Sequence, residues 1–399
     1  MHSETALDRT RTAPPRLPWA ALAALTAAAF GTVTVELMPS GLLPEIGRDF
    51  GVDPGAVGAL VGAWAITVAV TALPLVRLTA RIPRVRLLGG AAAVVAVVAL
   101  LTAWAPAYDW LVAGRVLSAA AHGVFWAVLV PTVAGLVPAE RLGRALSFVL
   151  AGPTLAGLVG LPAVAALASA IGWRAVSGFL AILLAAAVLG VHHTLRSVTT
   201  RTAPSEGPAR FDRSAVPVGL LALAGGLVLV GHFAAFTYVT ALVVRLGGLG
   251  SGAVPAVLLL FGAAGAVGVA LAGPLADRVP RAALVGTALG VAFGLLLLML
   301  GSGRSAIFCL GVGVWGVAVG AFPPILQAAV LRASSVRFRP LAGGVLVVVL
   351  NAGIALGAWA GGALLGGGVA QLALAALLAA GAGALALAGA LTADRGGTS

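Results

Sequence analysis

Four titratable side chains stand inside long apolar runs of this 399-residue chain: Glu36, Arg115, His122 and His232. Gln327 and Asn351 are uncharged polar residues in similar runs. A carboxylate or a guanidinium is costly to hold away from water unless it has a partner. Glu36 and Arg115 carry opposite charges, so pairing would relieve both. Two readings of that pair are open: a static ion pair tying two segments together, or a carboxylate that alternates between Arg115, a proton and a bound molecule. In the second, a nearby guanidinium favours the ionised carboxylate, and its withdrawal favours the protonated one. His122 and His232 are of the residue type that titrates near neutral pH, so either could relay a proton. Each could equally be a neutral ring hydrogen-bonded to a carbonyl or hydroxyl. Phe233, Phe236 and Tyr238 beside His232 could stack on a ring-bearing ligand or simply pack between helices, and Trp126 near His122 is a further candidate lining residue. Asn351 is open between ligand contact and packing, whereas Gln327, near the end of its run, reads better as packing.

The elements that hold these residues follow from composition. The chain is 61% hydrophobic and 9% charged, with a mean hydropathy of +1.11. A soluble domain carries about 25% charged residues. The apolar excess is spread along the whole length, and about 20 apolar residues span a bilayer core. Arg, Pro, Gly and Asp punctuate the chain into twelve expected spans: 18–44, 55–80, 86–105, 109–132, 146–171, 175–195, 215–243, 253–276, 281–301, 305–330, 340–364 and 369–391. Runs such as Leu87–Leu101 are continuous, unlike the ten-residue alternation of a membrane β-barrel. The 55 glycines suit close helix contacts in lipid. The expected class is therefore an all-α membrane protein of twelve transmembrane helices in two pseudo-symmetric six-helix bundles. Its parts are a tail at 1–17, a first bundle at 18–195, a polar linker at 196–214, a second bundle at 215–391 and a tail at 392–399. The first run is too long for the core of a cleaved signal peptide and reads as the first span.

All 24 basic residues are Arg, and the formal net charge is +12. Nineteen fall in the tails and in connections after even-numbered spans, four in the alternate connections, and one, Arg115, inside a span. The asymmetry places both termini in the cytoplasm of a multi-pass protein of the cell membrane. No basic stripe with interleaved aromatics is present, which excludes a nucleic-acid partner. A lone Cys309 cannot form an internal disulfide, and no metal-ligand spacing or cofactor motif appears. His192 and His193 adjoin without a nearby acid, which leaves a membrane enzyme as a remote alternative. The two halves echo each other: Pro74-Leu-Val-Arg-Leu-Thr-Ala-Arg-Ile-Pro-Arg84 after span 2 matches Gly273-Pro-Leu-Ala-Asp-Arg-Val-Pro-Arg281 after span 8. Internal duplication with binding between repeats is a transporter plan.

With these features the chain resembles the major facilitator superfamily, in its twelve-span drug:proton antiporter branch, near the sugar-efflux and chloramphenicol-resistance exporters. The resemblance rests on Thr34-Val-Glu36 and Gly41-Leu-Leu-Pro-Glu-Ile in span 1, and on Gly114-Arg115 with His122-Gly123 in span 4. It continues through Ala151-Gly-Pro153, Gly157, Gly160-Leu-Pro162 and Gly172-Trp-Arg174. In the second half it rests on Gly231-His-Phe233, Tyr238, Gly273-Pro-Leu-Ala-Asp-Arg278, Gln327 and Asn351-Ala-Gly353. It implies alternating access around a cavity lined by spans 1, 4, 7 and 10, with inward proton flow driving a small molecule out. It also implies gating roles for Gly152, Pro153 and Gly157 in span 5 and for Arg81, Asp277 and Arg278 at the cytoplasmic ends. The chain departs from the pattern at Ala80, where an acid is usual. The expected cargo is a neutral or hydrophobic molecule such as an amphenicol, with a sugar or small metabolite second. The expected partners are that small molecule, protons and lipid, and the expected state is a monomer.

Overall fold

The computed structural model describes residues 18–79, 81–138, 141–195, 212–335 and 337–396. Ala80 and most of the expected linker lie outside them. Twelve helices are long and apolar enough to cross a membrane, and no strand occurs among the described residues. They are α1 (Trp19–Gly41), α2 (Pro54–Leu78), α3 (Arg84–Ala103), α4 (Tyr108–Leu136), and α5, built from Leu142–Leu155, Ala156–Gly160 and Leu161–Ile171. There follow α6 (Trp173–Leu195), α7 (Ala215–Phe236), α8 (Val254–Arg278), α9 (Pro280–Leu300), α10 (Ser305–Ala333), α11 (Arg339–Leu365) and α12 (Val369–Gly396). The face where α1 begins and α12 ends is called terminal below, and the opposite face distal.

The expected spans match these helices, with three differences of physical interest. The first span stops at Gly41, and Leu43–Phe50 forms a separate amphipathic helix with Pro44 in its first turn. Proline is favoured there because the first turn has no use for its N–H. α4 runs on to Leu136. In α5 the ladder changes character at Ala156–Gly160, which form a π turn just before Pro162. Pro162 has no N–H to offer Leu158, so the ladder slips by one residue there.

Within the first bundle α1 packs on α5 and α6, α3 on α4 and α6, and α2 on α4; in the second, α7 packs on α11 and α12, α8 on α10, and α9 on α10 and α12. The halves meet where α2 lies along α11 and where α8 lies along α5. Small residues make both seams. Gly62 faces the Ala355 carbonyl, and Gly262 sits directly on the backbone of Gly157 and Leu158. Any side chain at Gly262 would overlap that backbone. In lipid, where apolar burial gains little, such close backbone approach is the main source of helix affinity.

Candidate functional site

Pro39 lies inside α1 and has no N–H to give to the carbonyl of Val35, four residues earlier. Arg115, projecting from α4, fills that vacancy. One guanidinium nitrogen donates to the Val35 carbonyl at 2.7 Å, and the other donates to the Glu36 carbonyl at 2.8 Å. The guanidinium carbon Cζ lies 4.2 Å from the centre of the Trp64 ring on α2, a cation–π contact strengthened by the burial of both side chains. Arg115 thereby joins α1, α2 and α4 at one point, with only 7% of its surface exposed.

The Glu36 carboxylate turns to a different partner. Its Oε2 lies 3.3 Å from Nε2 of His122. His122 is seven residues beyond Arg115, two turns along the same face of α4. The expected carboxylate–guanidinium ion pair is therefore corrected: Arg115 grips the α1 backbone, and the carboxylate faces the imidazole. Pro39 is the reason, because a carbonyl deprived of its helical donor competes for the guanidinium. Trp64 and Trp126 pack against His122, with ring centres 5.1 and 6.0 Å away. Three buried nitrogens here have no protein partner: Trp64 Nε1, Arg115 Nε and His122 Nδ1. Buried polar atoms without partners are uncommon and call for water or a ligand. The Glu36 side chain is about a quarter exposed at 24%, so the cluster is open on the carboxylate side.

The second bundle has a different centre. His232 on α7 is enclosed by Phe233 and Phe236 of its own helix, Phe261 of α8 and Trp315 of α10, with ring centres 4.7 to 6.2 Å away. The Trp315 indole Nε1–H donates to His232 Nδ1 at 3.1 Å. No ionised residue contacts this ring system among the described residues.

Other expected site residues are placed elsewhere. Tyr238 does not line a cavity: it is fully buried at the distal seam, donates its hydroxyl to the Ala358 carbonyl at 2.8 Å, and fills the space left by Gly58, Gly361 and Gly362. Its ring links α7 to α2 and α11 because those three glycines leave no other side chain there. Asn351 donates to the Val347 carbonyl of its own helix at 2.9 Å, and Gln327 is exposed towards the terminal end of α10. Gly152 packs on the α1 backbone at Thr26 and Phe30, inside the first bundle, while Gly157 reaches α8. Of these two glycines Gly157 stands at the junction of the halves, and the helical irregularity lies beyond Pro153. Arg81, Asp277 and Arg278 are exposed at the terminal face.

Two polar clasps at the helix ends are built from residues outside the expected set of site residues. At the distal face Asp49 accepts from Trp173 Nε1 and Arg174 Nε, both at 2.9 Å, while Arg174 also donates to the carbonyls of Ala103 and Ala105. That joins the connections after α1, α3 and α5. Opposite charges in successive distal connections were the available signal. At the terminal face Asp212 accepts from Ser335 and Ser214. Those hydrogen bonds hold its carboxyl below the usual Asp range, the Ser335 contribution being the largest.

Two six-helix bundles, each with a distinctive centre and joined through small-residue seams, define a polytopic membrane transporter. A family model described as Major Facilitator Superfamily matches residues 22–313. The chain belongs to that superfamily. It is 35% identical over 378 residues to a chloramphenicol efflux pump of Mycobacterium tuberculosis, covering 91% of this chain and 90% of that one. It is 28% identical over 345 residues to a probable sugar efflux transporter of Mannheimia succiniciproducens, covering 86% and 85%. Among solved structures, the POT family transporter PepTSo superposes with a TM-score of 0.77 at 10% identity, covering 96% of this chain and 99% of that one, a likeness of fold.

Proposed function

We propose that this transporter is a proton-coupled antiporter that exports small neutral or hydrophobic molecules, amphenicol-type drugs among them, by alternating access. The observation that carries the coupling half of this reading is the 3.3 Å approach of the Glu36 carboxylate to His122 beside the buried Arg115. One proton shared by that pair is stabilised differently as the carboxylate gains or loses water and cargo. Arg115 holds α1 to α4 beside Glu36, so the Glu36–His122 approach is kept while the exposed side of the carboxylate gains or loses its other partners. The similarity to a chloramphenicol efflux pump supports the cargo class. Both termini lie in the cytoplasm, in keeping with the arginine asymmetry. No polar contact identified at either centre offers the array of hydrogen-bonding side chains that a sugar requires, so sugar efflux ranks second.

Everted vesicles containing the protein test this reading. An imposed pH gradient, acid inside, is expected to drive accumulation of chloramphenicol, and Glu36→Gln is expected to lower the gradient-driven rate at least about a hundredfold while the protein still inserts. Undiminished gradient-driven accumulation by Glu36→Gln would overturn the coupling assignment. Accumulation by the native protein that ignores the gradient would overturn antiport itself.

A further inference from the structure

The indole nitrogen of Trp315 carries a proton and has no lone pair to offer, so it can only donate. Its 3.1 Å contact therefore requires an unprotonated Nδ1 on His232. A neutral imidazole has one N–H, and with Nδ1 bare that hydrogen must sit on Nε2. Protonation of the ring at Nδ1 would set two N–H groups against each other at hydrogen-bond distance. Trp315 is fully buried among α9 and α10 side chains and cannot rotate away cheaply.

Nε2 has no protein partner among the described residues, and unlike His122 Nδ1 it is not sealed from contact. Phe233 and Phe261, both only partly buried, stand beside the imidazole with ring centres 4.7 and 6.2 Å away. Phe261 precedes Gly262, the residue seated on α5 at the junction of the halves. Phe261 thus ties this aromatic box to α8 one residue from that junction. Its surroundings carry no charge at this depth. The charged residues of the helices packed around α7 are Asp277 and Arg278 on α8, Arg281 on α9, Arg332 on α10, Arg339 on α11, and Asp394 and Arg395 on α12, all at terminal ends. His232 lies 17 residues into α7, about 25 Å along the axis from its terminal end. Glu36, the acid inside α1, is engaged by His122.

The geometry points to a recognition subsite here: His232 Nε2–H and the faces of Phe233 and Phe261 bind an aromatic ring that carries a hydrogen-bond acceptor. His232 is thus a specificity residue and not a proton carrier. The inference rests on the export reading of the space between the bundles. An arene satisfies the aromatic walls, and its acceptor satisfies the single fixed donor. An arene without the acceptor leaves that donor unpaired, which costs about tenfold in affinity.

Nitrogen-15 NMR of histidine-labelled native protein in nanodiscs tests it, with the His232 signal assigned by its loss in His232→Phe. Between about pH 5 and 8 the ring is expected to stay in the Nε2–H tautomer. Addition of acetophenone, whose ring carries a carbonyl acceptor, is expected to shift Nε2 at concentrations about tenfold lower than ethylbenzene, which has none. Trp315→Phe is expected to release the ring into a mixture of tautomers. An imidazolium signal within that pH range, or equal responses to the two arenes, would overturn the proposal. In liposomes, His232→Phe should raise KM for chloramphenicol about tenfold, change kcat less than twofold, and leave the pH profile in place. An unchanged KM, or loss of gradient-driven turnover, counts against it. Should native protein fail to move chloramphenicol, the export reading falls, and the NMR responses still decide the subsite.

Discussion

The two bundles place a histidine near their centres and treat it in opposite ways. In the first, His122 faces a carboxylate, lies beside a guanidinium and keeps one ring nitrogen unpartnered. In the second, His232 is locked by an indole N–H inside a ring of aromatic side chains. One histidine thus has an acid beside it, and the other has only a neutral donor. On the function and subsite proposed above, the duplicated bundles divide labour, with proton handling on α1 and α4 and cargo recognition on α7, α8 and α10. Residue type alone does not separate these roles, because histidine serves both.

The comparison can be broken most severely at Arg115. Arg115→Ala removes two charge-assisted hydrogen bonds and leaves the Val35 carbonyl without a donor in the membrane interior. A loss of about 3 kcal/mol or more is expected, read as a fall in melting temperature of the purified protein together with loss of transport. A variant as stable as the native protein would show that α1 does not depend on this grip. The junction between the bundles comes next. Gly58→Leu would collide with the Tyr238 ring, so the distal seam of α2 with α11 should open. Spin labels on the distal ends of those helices are expected to move apart, and transport to fall about tenfold or more; unchanged distances would remove Tyr238 from the seal.

Smaller effects sharpen the contrast. Pro39→Ala restores an N–H for the Val35 carbonyl and makes one Arg115 contact redundant. It should therefore lessen the penalty of Arg115→Ala by about 1 kcal/mol in a double-mutant cycle, and strict additivity would contradict the link. Smallest of all, Asp212→Asn weakens the terminal clasp. Because hydrogen bonds from Ser335 and Ser214 depress that carboxyl, its contribution is present above the ordinary Asp range and fades as pH falls through the folded-state value. The native protein and the Asp212→Asn variant should converge in melting temperature on acidification; a gap that widens instead would reverse the sign.

Much of this architecture was legible in the residues. Apolar runs and arginine punctuation located all twelve helices, since each span must satisfy its own backbone in lipid. The isolated polar residues marked both centres. Their pairing was not legible, because opposite charge suggested Glu36 with Arg115, whereas the outcome turned on a carbonyl that Pro39 leaves free. That signal was present as a proline four residues beyond Val35. Tyr238 looked like a cavity residue from its neighbours in sequence, yet its position is set by Gly58, Gly361 and Gly362 on helices distant in the chain. The π turn likewise depends on Pro162 rather than on the more conspicuous Gly152-Pro153 step.

Proton release on cargo binding tests the central claim most directly. Purified native protein in weakly buffered detergent solution is expected to release protons when chloramphenicol is added, and His232→Phe is expected to do the same at higher ligand concentration. Glu36→Gln should bind the drug and release none. Equal proton release from Glu36→Gln, or its loss in His232→Phe at saturating drug, would contradict the assignment of proton handling to the first bundle.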